Sequence, residues 1–495
     1  MASPLRIPDR GPSGVDARCD AGIPADLRNR LEELGQAHVF AWWPQLSAAL
    51  RAGLVRQLRE LDFDSLEQSI AYVRRSGSNR TGQADVGLPA ANVADELQPP
   101  RDVIRQDASF RRHADHWRCL GEQSMARGEV AAVVVAGGMG TRLGWPRPKG
   151  LFPVGPVTGK PLFQWHVEQI VALRGRLRAA IPLVVMTSTF THEATVQAFA
   201  EHRCWGLPPH DVTFVCQGEA PALDRDTGRL LMAAPHRLAT APDGHGGLFG
   251  ALQREGTLEQ LRRRGVRRLF YFQIDNPGTR VCDPEFVGCH LARRAEVSVR
   301  VIRKQTPEER VGVVVFDGRV HRIVEYIDLP RRLAEAEAPP GSGKLRLWAG
   351  NTAVHIFELD FLVRCARDGV ELPWHHTTKA IPYFDSTGRW VRPTAPNAVK
   401  LERFIFDLLP FARRVLVVEA DRRREYLPLK NRVGENSPHT VRQGLISLAA
   451  ERIQRLGGEV AAGTAVEIDP RWNDERLARA IAQTPRITTD TYFGD

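Results

Sequence analysis

The chain has 495 residues, 43% hydrophobic and 25% charged, with a formal net charge of +10. That is ordinary globular composition at a length suited to two or three domains. No apolar run reaches the roughly 18 residues that a membrane-spanning helix needs, which excludes one. The basic balance admits nucleic acid, an anionic membrane or acidic small ligands. Arginine is spread along the chain in short clusters such as Arg262–Arg264 and Arg422–Arg424, a pattern of solvated faces that argues against the first two.

Residues 1–24 are polar and read as a loosely attached flexible tail without a secretory core. The seven cysteines (Cys19, Cys119, Cys204, Cys216, Cys282, Cys289 and Cys365) are scattered and form no CxxC pair. Free thiols in a reducing compartment follow, with the cytoplasm as the expected location.

An N-terminal helical region is expected over 25–125. Asp26 can cap a helix carrying Leu27, Leu31 and Leu34, and Leu46, Leu50, Leu54, Leu58 and Leu61 repeat the pattern after Pro44. Residues 75–100 are a Gly/Pro/Asn-rich connection, and 107–127 is helical again. The period then changes. Apolar runs at Val130–Val135, Ile181–Met186, Val212–Val215, Leu269–Ile274, Val297–Ile302 and Val311–Phe316 alternate with helical stretches at 161–177, 191–202 and 255–264. This predicts an α/β domain over 126–410 with a mostly parallel sheet, and ligands at the carboxyl ends of its strands. Residues 411–495 begin with Val415–Val418, include a long helix over 438–456, and read as a small C-terminal domain.

The first apolar run enters Ala136-Gly137-Gly138-Met139-Gly140-Thr141-Arg142-Leu143-Gly144, followed by Pro148-Lys149-Gly150. Adjacent glycines let backbone N–H groups converge on phosphate oxygens, and Arg142 and Lys149 add charge where a polyphosphate would lie. A dinucleotide loop should open a helix, which Pro146 and Pro148 forbid here. Gly155-Pro-Val-Thr-Gly159-Lys160 imitates a Walker loop but is one residue short and is followed by Pro161, so it reads as a decoy. Only seven lysines occur among the 68 basic residues: Lys149, Lys160, Lys304, Lys344, Lys379, Lys400 and Lys430. In so arginine-rich a chain, a retained lysine hints at a required point charge.

The stretch VVVAGGMGTRLGWPRPKGLFPVG resembles the eukaryotic-type UTP:sugar-1-phosphate uridylyltransferases, most of all their N-acetylhexosamine branch. Further matches follow in family order: CQGEAPAL at 216–223, APDGHGGL at 241–248, FQIDN at 272–276, VVFDGRVHRIVEYID at 314–328, AGNTAVHIF at 349–357, NAVKLERFIFDLLPFA at 397–412 and YLPLKN at 426–431. The resemblance covers roughly residues 25–460. It implies a Rossmann-like nucleotidyltransferase domain that joins UTP to a sugar 1-phosphate and releases pyrophosphate. N-acetylglucosamine 1-phosphate is the best guess for the sugar.

An attacking phosphate is already largely dianionic near neutral pH, so cationic clamping and alignment matter more than a strong base. The resemblance implies that Val135, Ala136, Gly137 and Gly138 contact UTP through the backbone. Arg142 and Lys149 hold its phosphates, Lys400 reaches UTP, and Lys430 reaches the sugar phosphate. Gln217 and Gly244 read uracil, the former with both a donor and an acceptor. Asp275, at a strand's carboxyl end, is the expected ligand of Mg²⁺. His245, Glu325 and Asn351 contact the sugar. Residue 245 is His where the acetylhexosamine branch has Asn, in a GHG reminiscent of the UDP-glucose enzymes, and Val354 replaces a polar residue. Glucose 1-phosphate or a broad sugar range is therefore the alternative. A noncatalytic nucleotide-binding regulator is the alternative from another class, and it should have lost Arg142, Lys149 or Asp275.

Overall fold

The computed structural model describes residues 22–78 and 97–495. Most of the tail expected over 1–24 and most of the connection expected over 75–100 lie outside them. The described residues form two compact units. The larger holds residues 97–217, His245–Leu372 and Ile405–Asp495; the smaller holds 22–78, Gly218–Gly244 and Pro373–Phe404.

The larger unit is built on a ten-stranded sheet. Its strands are β1 (Val103–Ile104), β2 (Val130–Val135), β3 (Leu183–Thr187), β4 (Val212–Cys216), β5 (Arg268–Gln273), β6 (Val297–Arg303), β7 (Val313–Phe316), β8 (His321–Val324), β9 (Ala349–Glu358) and β10 (Val415–Glu419). They run in the order β1-β10-β6-β9-β5-β2-β3-β4, with β7 and β8 as a side hairpin off β9. Pairing is parallel except at β9 and the hairpin. β2 lies between two parallel neighbours, and its continuous Val/Ala run is what burial on both faces requires.

Five of the six apolar runs are strands in parallel pairs, while Val311–Phe316 supplies β7, an antiparallel arm. Helices Leu162–Leu177, His192–Glu201 and Thr257–Arg263 fall where their periodicity predicts. Val415–Glu419, read from the sequence as the opening of a C-terminal domain, is inserted into the central sheet between β1 and β6. Beyond it, helix Pro438–Arg455 and later segments build a separate small core of Ile453, Val466, Leu477, Ile481, Ile487 and Phe493.

Helix Ala108–Ala126 packs on helix Pro284–Ala292 through two glycines. A Cβ on Gly121 would stand 2.0 Å from the carbonyl oxygen of Pro284, and one on Gly288 would stand 1.8 Å from that of Trp117. The obstacle in both cases is backbone, which cannot swing aside. Gly288→Ala is expected to cost about 1–3 kcal/mol or more, as overpacking does, measured as a lower midpoint of denaturant unfolding.

Two buried histidines add a pH dependence. Burial pushes His166 down to about 4. Burial, helped by neighbouring His245, pushes His355 down to about 3. Both are neutral when folded, whereas an unfolded histidine titrates near about 6.5. Their contribution is complete above that value and is lost as pH falls from it, by up to about 1.4 kcal/mol per unit each. Urea unfolding should give lower stability at pH 5.5 than at pH 7.5, and His355→Phe should flatten the difference.

The smaller unit gathers helices Ala25–Glu33, Ala48–Arg59 and Phe63–Ser78. Leu27, Leu31, Leu54, Leu58, Leu66, Ile70 and Val73 share a core with Leu223, Met232, Val399 and Leu401. The helices expected over 25–125 are thus split, because Ala108–Ala126 belongs to the larger unit. Contacts such as His38 Nε2 to the Leu230 carbonyl at 2.8 Å explain how distant stretches of chain combine. Asp26 does not cap the first helix. Pro24 holds that position without a side-chain bond, and Asp26 lies in the first turn, where a carboxylate still suits the helix dipole.

Candidate active site

Four neighbouring parallel strands, β5, β2, β3 and β4, end at one edge of the sheet. Their carboxyl ends carry Asp275, Ala136–Gly138, Ser188 and Gln217 respectively. The junction of β2 and β5 is closed by the Ile274 N–H donating to the Val135 carbonyl at 3.1 Å. The Ala136 N–H donates to the Met186 carbonyl at 2.8 Å.

The glycine loop is held open by its neighbours. Ser188 Oγ donates to the Gly137 carbonyl at 2.8 Å. A Cβ on Gly137 would lie 2.3 Å from Gln217 Oε1, so glycine is what lets the buried Gln217 reach the loop. A Cβ on Gly138 would meet nothing within 4 Å, leaving open space above its backbone. The Lys149 N–H donates to the Gly138 carbonyl at 2.9 Å, which folds the loop back on itself and starts the single turn Lys149–Leu151.

That turn aims Lys149 at Asp275. Nζ lies 3.2 Å from Oδ2 and 3.5 Å from the Leu429 carbonyl. Burial alone would raise the Asp275 carboxyl, but the charges of Lys149 and Lys430 overcome it and hold the group below the usual carboxylate range. Arg142, Lys149, Asp275 and Lys430 all line one cavity of about 890 Å³, with Arg310, Tyr326 and Arg422 further around its wall. Asp275 is an ionised oxygen donor that suits a hard divalent cation. Among the described residues no cluster of three acidic, His or Cys side chains forms a ready-made metal cage. One carboxylate suits a divalent cation that completes its shell with phosphate and water.

Glu325 follows β8, and Asn351 lies near the start of β9. Both meet at Gly312: the Asn351 N–H donates to its carbonyl at 2.8 Å, and a Cβ there would lie 2.8 Å from Glu325 Oε1. The Asn351 side chain accepts from the Ala353 N–H at 3.0 Å, in a bulge where Ala353 has φ +57°. His245 Nδ1 accepts the Ile405 N–H at 3.2 Å, so its neutral ring carries its proton on Nε2. The ring centroid is 5.3 Å from that of Phe406. Val354 is buried in the large core.

Gly244 and Lys400 belong to the smaller unit. Gly244 has φ +84°, and a Cβ there would lie 2.5 Å from the Arg403 carbonyl oxygen, so only glycine fits. Lys400 Nζ is 2.7 Å from Glu402 Oε1. The Walker-like loop is closed by the chain itself. The N–H groups of Val157 and Thr158 donate to Glu467 Oε2 at 2.9 and 3.0 Å, and Lys160 Nζ lies 2.7 Å from Glu168 Oε2. Sequence reasoning missed Ser188 and Arg310, which no local pattern marks, and it read Arg422, within the Arg422–Arg424 cluster, as part of a solvated face, whereas the side chain lines the cavity. It quoted Asn276 within FQIDN but gave it no role.

Cationic side chains around a carboxylate, beside a glycine loop at the ends of parallel strands, define a nucleotidyltransferase. A family model described as UTP–glucose-1-phosphate uridylyltransferase matches residues 94–436. The UDP-N-acetylglucosamine pyrophosphorylase of Saccharomyces cerevisiae is 32% identical, over 90% of this chain and 94% of its own. A UDP-N-acetylhexosamine pyrophosphorylase-like protein 1 of Homo sapiens is 34% identical, over 85% of this chain and 84% of its own. The solved structure of the uridine diphosphate N-acetylglucosamine pyrophosphorylase from Trypanosoma brucei superposes with a TM-score of 0.75 at 25% identity, over 96% of this chain and 99% of that one.

The chain belongs to the UTP–glucose-1-phosphate uridylyltransferase family, and it is an enzyme that joins UTP to a sugar 1-phosphate. No helix among its described residues is long and apolar enough to cross a membrane.

Proposed function

We propose that the enzyme's preferred sugar substrate is N-acetylglucosamine 1-phosphate. The observation that carries this is the 32% identity to the yeast pyrophosphorylase of that sugar over nearly the whole length of both chains. Burial of Val354 in the core supports it, because that departure from the acetylhexosamine pattern is then a matter of packing. His245 keeps glucose 1-phosphate as the second reading, since an imidazole presenting one N–H replaces a carboxamide there.

In the reaction we propose, an oxygen of the sugar phosphate attacks the α-phosphorus of UTP in line. The new P–O bond forms as the bond to the β-phosphate bridging oxygen breaks, and pyrophosphate leaves. Arg142 and Lys149 neutralise the departing charge, and Lys430 steadies the attacking phosphate. Backbone from Val135 to Gly138 contacts UTP, with Lys400 as a further contact. Gln217 and Gly244 read uracil, and His245, Glu325 and Asn351 orient the sugar. Asp275 is the proposed Mg²⁺ ligand; the ion would supply further neutralisation of phosphate charge. The described cysteines are free thiols, which suits the reducing cytoplasm as the proposed location.

The test is pyrophosphate release with UTP, Mg²⁺ and a panel of sugar 1-phosphates. The highest kcat/KM is expected with N-acetylglucosamine 1-phosphate. A higher value with glucose 1-phosphate would move the assignment to the second reading.

A further inference from the structure

Lys430 has a long side chain on a non-helical segment, residues 426–431, that follows the short helix Arg422–Glu425. What fixes it lies one residue beyond Asp275. Asn276 is 4% exposed, and its carboxamide makes three bonds. Nδ2 donates to the Glu425 carbonyl at 2.8 Å. Oδ1 accepts the N–H of Leu427 at 2.9 Å and that of Gly278 at 3.2 Å. Gripping the C=O of one residue and the N–H of the second residue after it is what a neighbouring strand would do. Pro428 has no N–H to offer, and the next amide, Leu429, donates to the Asp275 carbonyl at 2.7 Å. Two consecutive residues thereby dock a five-residue stretch at three points. Its far end delivers Lys430 into the cavity shared with Lys149 and Asp275.

We propose that Asn276 is a positioning residue for catalysis: its buried carboxamide holds segment 425–429 in place, so that Lys430 stands against the reacting phosphate. This rests on the proposed role of Lys430. Asn276 is not among the residues that line the cavity, and its bonds are to backbone groups that no other side chain among the described residues is seen to pair.

The two ideas separate in a double-mutant cycle read by kcat/KM for the sugar 1-phosphate. Lys430→Ala alone should lower it about 100-fold, within the range of single electrostatic contacts. Asn276→Ala alone should lower it at least tenfold, mostly through kcat, with the far-ultraviolet spectrum unchanged. Asn276→Asp keeps both acceptor bonds, loses the donor to Glu425, and should also fall. In the Lys430→Ala background, either change at Asn276 should cost less than threefold, because the residue it positions is gone. Should Asn276→Ala fail to fold, Asn276→Asp carries the same cycle. Full additivity with Lys430→Ala overturns the clamp while leaving Lys430 in its role. A silent Lys430→Ala overturns the reading of Lys430, and the clamp with it.

Discussion

Lys149→Ala is expected to lower kcat about 10²–10³-fold, the cost of removing one preorganised charge from a transition-state site, while the protein stays folded. The side chain is well placed for that effect. Its own backbone N–H closes the glycine loop, and its ammonium lies 3.2 Å from Asp275 and on the wall of the cavity that Arg142 and Lys430 also line. A charge fixed before the reaction pays no reorganisation when pyrophosphate develops its own. Lys149→Arg should rescue little, because a planar fork replaces a compact point charge. Pyrophosphate release measured against UTP concentration checks this: the loss should fall on kcat more than on KM. A variant with unchanged kcat would remove Lys149 from the machinery.

The loop and its charges were legible because they are local. Ala136 to Lys149 is one continuous stretch, and the step from a β-branched run to paired glycines is a change of period readable in any window. Asp275 was legible for the same reason, as the residue at the end of a clear strand. The strand Ala349–Glu358 was not, since Gly350, Asn351 and Thr352 interrupt its apolar pattern where it bulges. Val415–Val418 was legible as an apolar run opening the C-terminal part but not as a strand of the central sheet: the partners of Val415–Glu419 are Val297–Val301 and Val103–Ile104, over a hundred residues earlier. One glycine shows the same limit. Gly137 could be read as a phosphate-loop residue, but its second duty, making room for Gln217, needs the fold. The smaller unit is assembled from three stretches of chain, and nothing in 22–78 announces that Leu223 and Val399 will complete its core.

The second large effect concerns stability. Arg300 on β6 is 2% exposed, and its guanidinium bonds Glu425 through Nε at 2.8 Å and through Nη2, with Asp283 3.3 Å away. Glu425→Ala is expected to cost about 3 kcal/mol, because it removes the main counter-charge of a buried guanidinium and leaves only Asp283, which Arg280 shares. On thermal unfolding that corresponds to a fall in Tm of about 5 °C. The pair need not be a net source of stability for this to hold. Replacing both partners, as Arg300→Met with Glu425→Leu, should recover much of the loss, since apolar side chains of similar volume escape the desolvation cost. Asp283 would keep Arg280, 3.0 Å away, as its counter-charge. If the double variant unfolds as early as Glu425→Ala alone, the cost lies in lost packing rather than in an unpaired charge. If Glu425→Ala alone leaves Tm unchanged, the guanidinium is reached by water and the pair is not buried in solution.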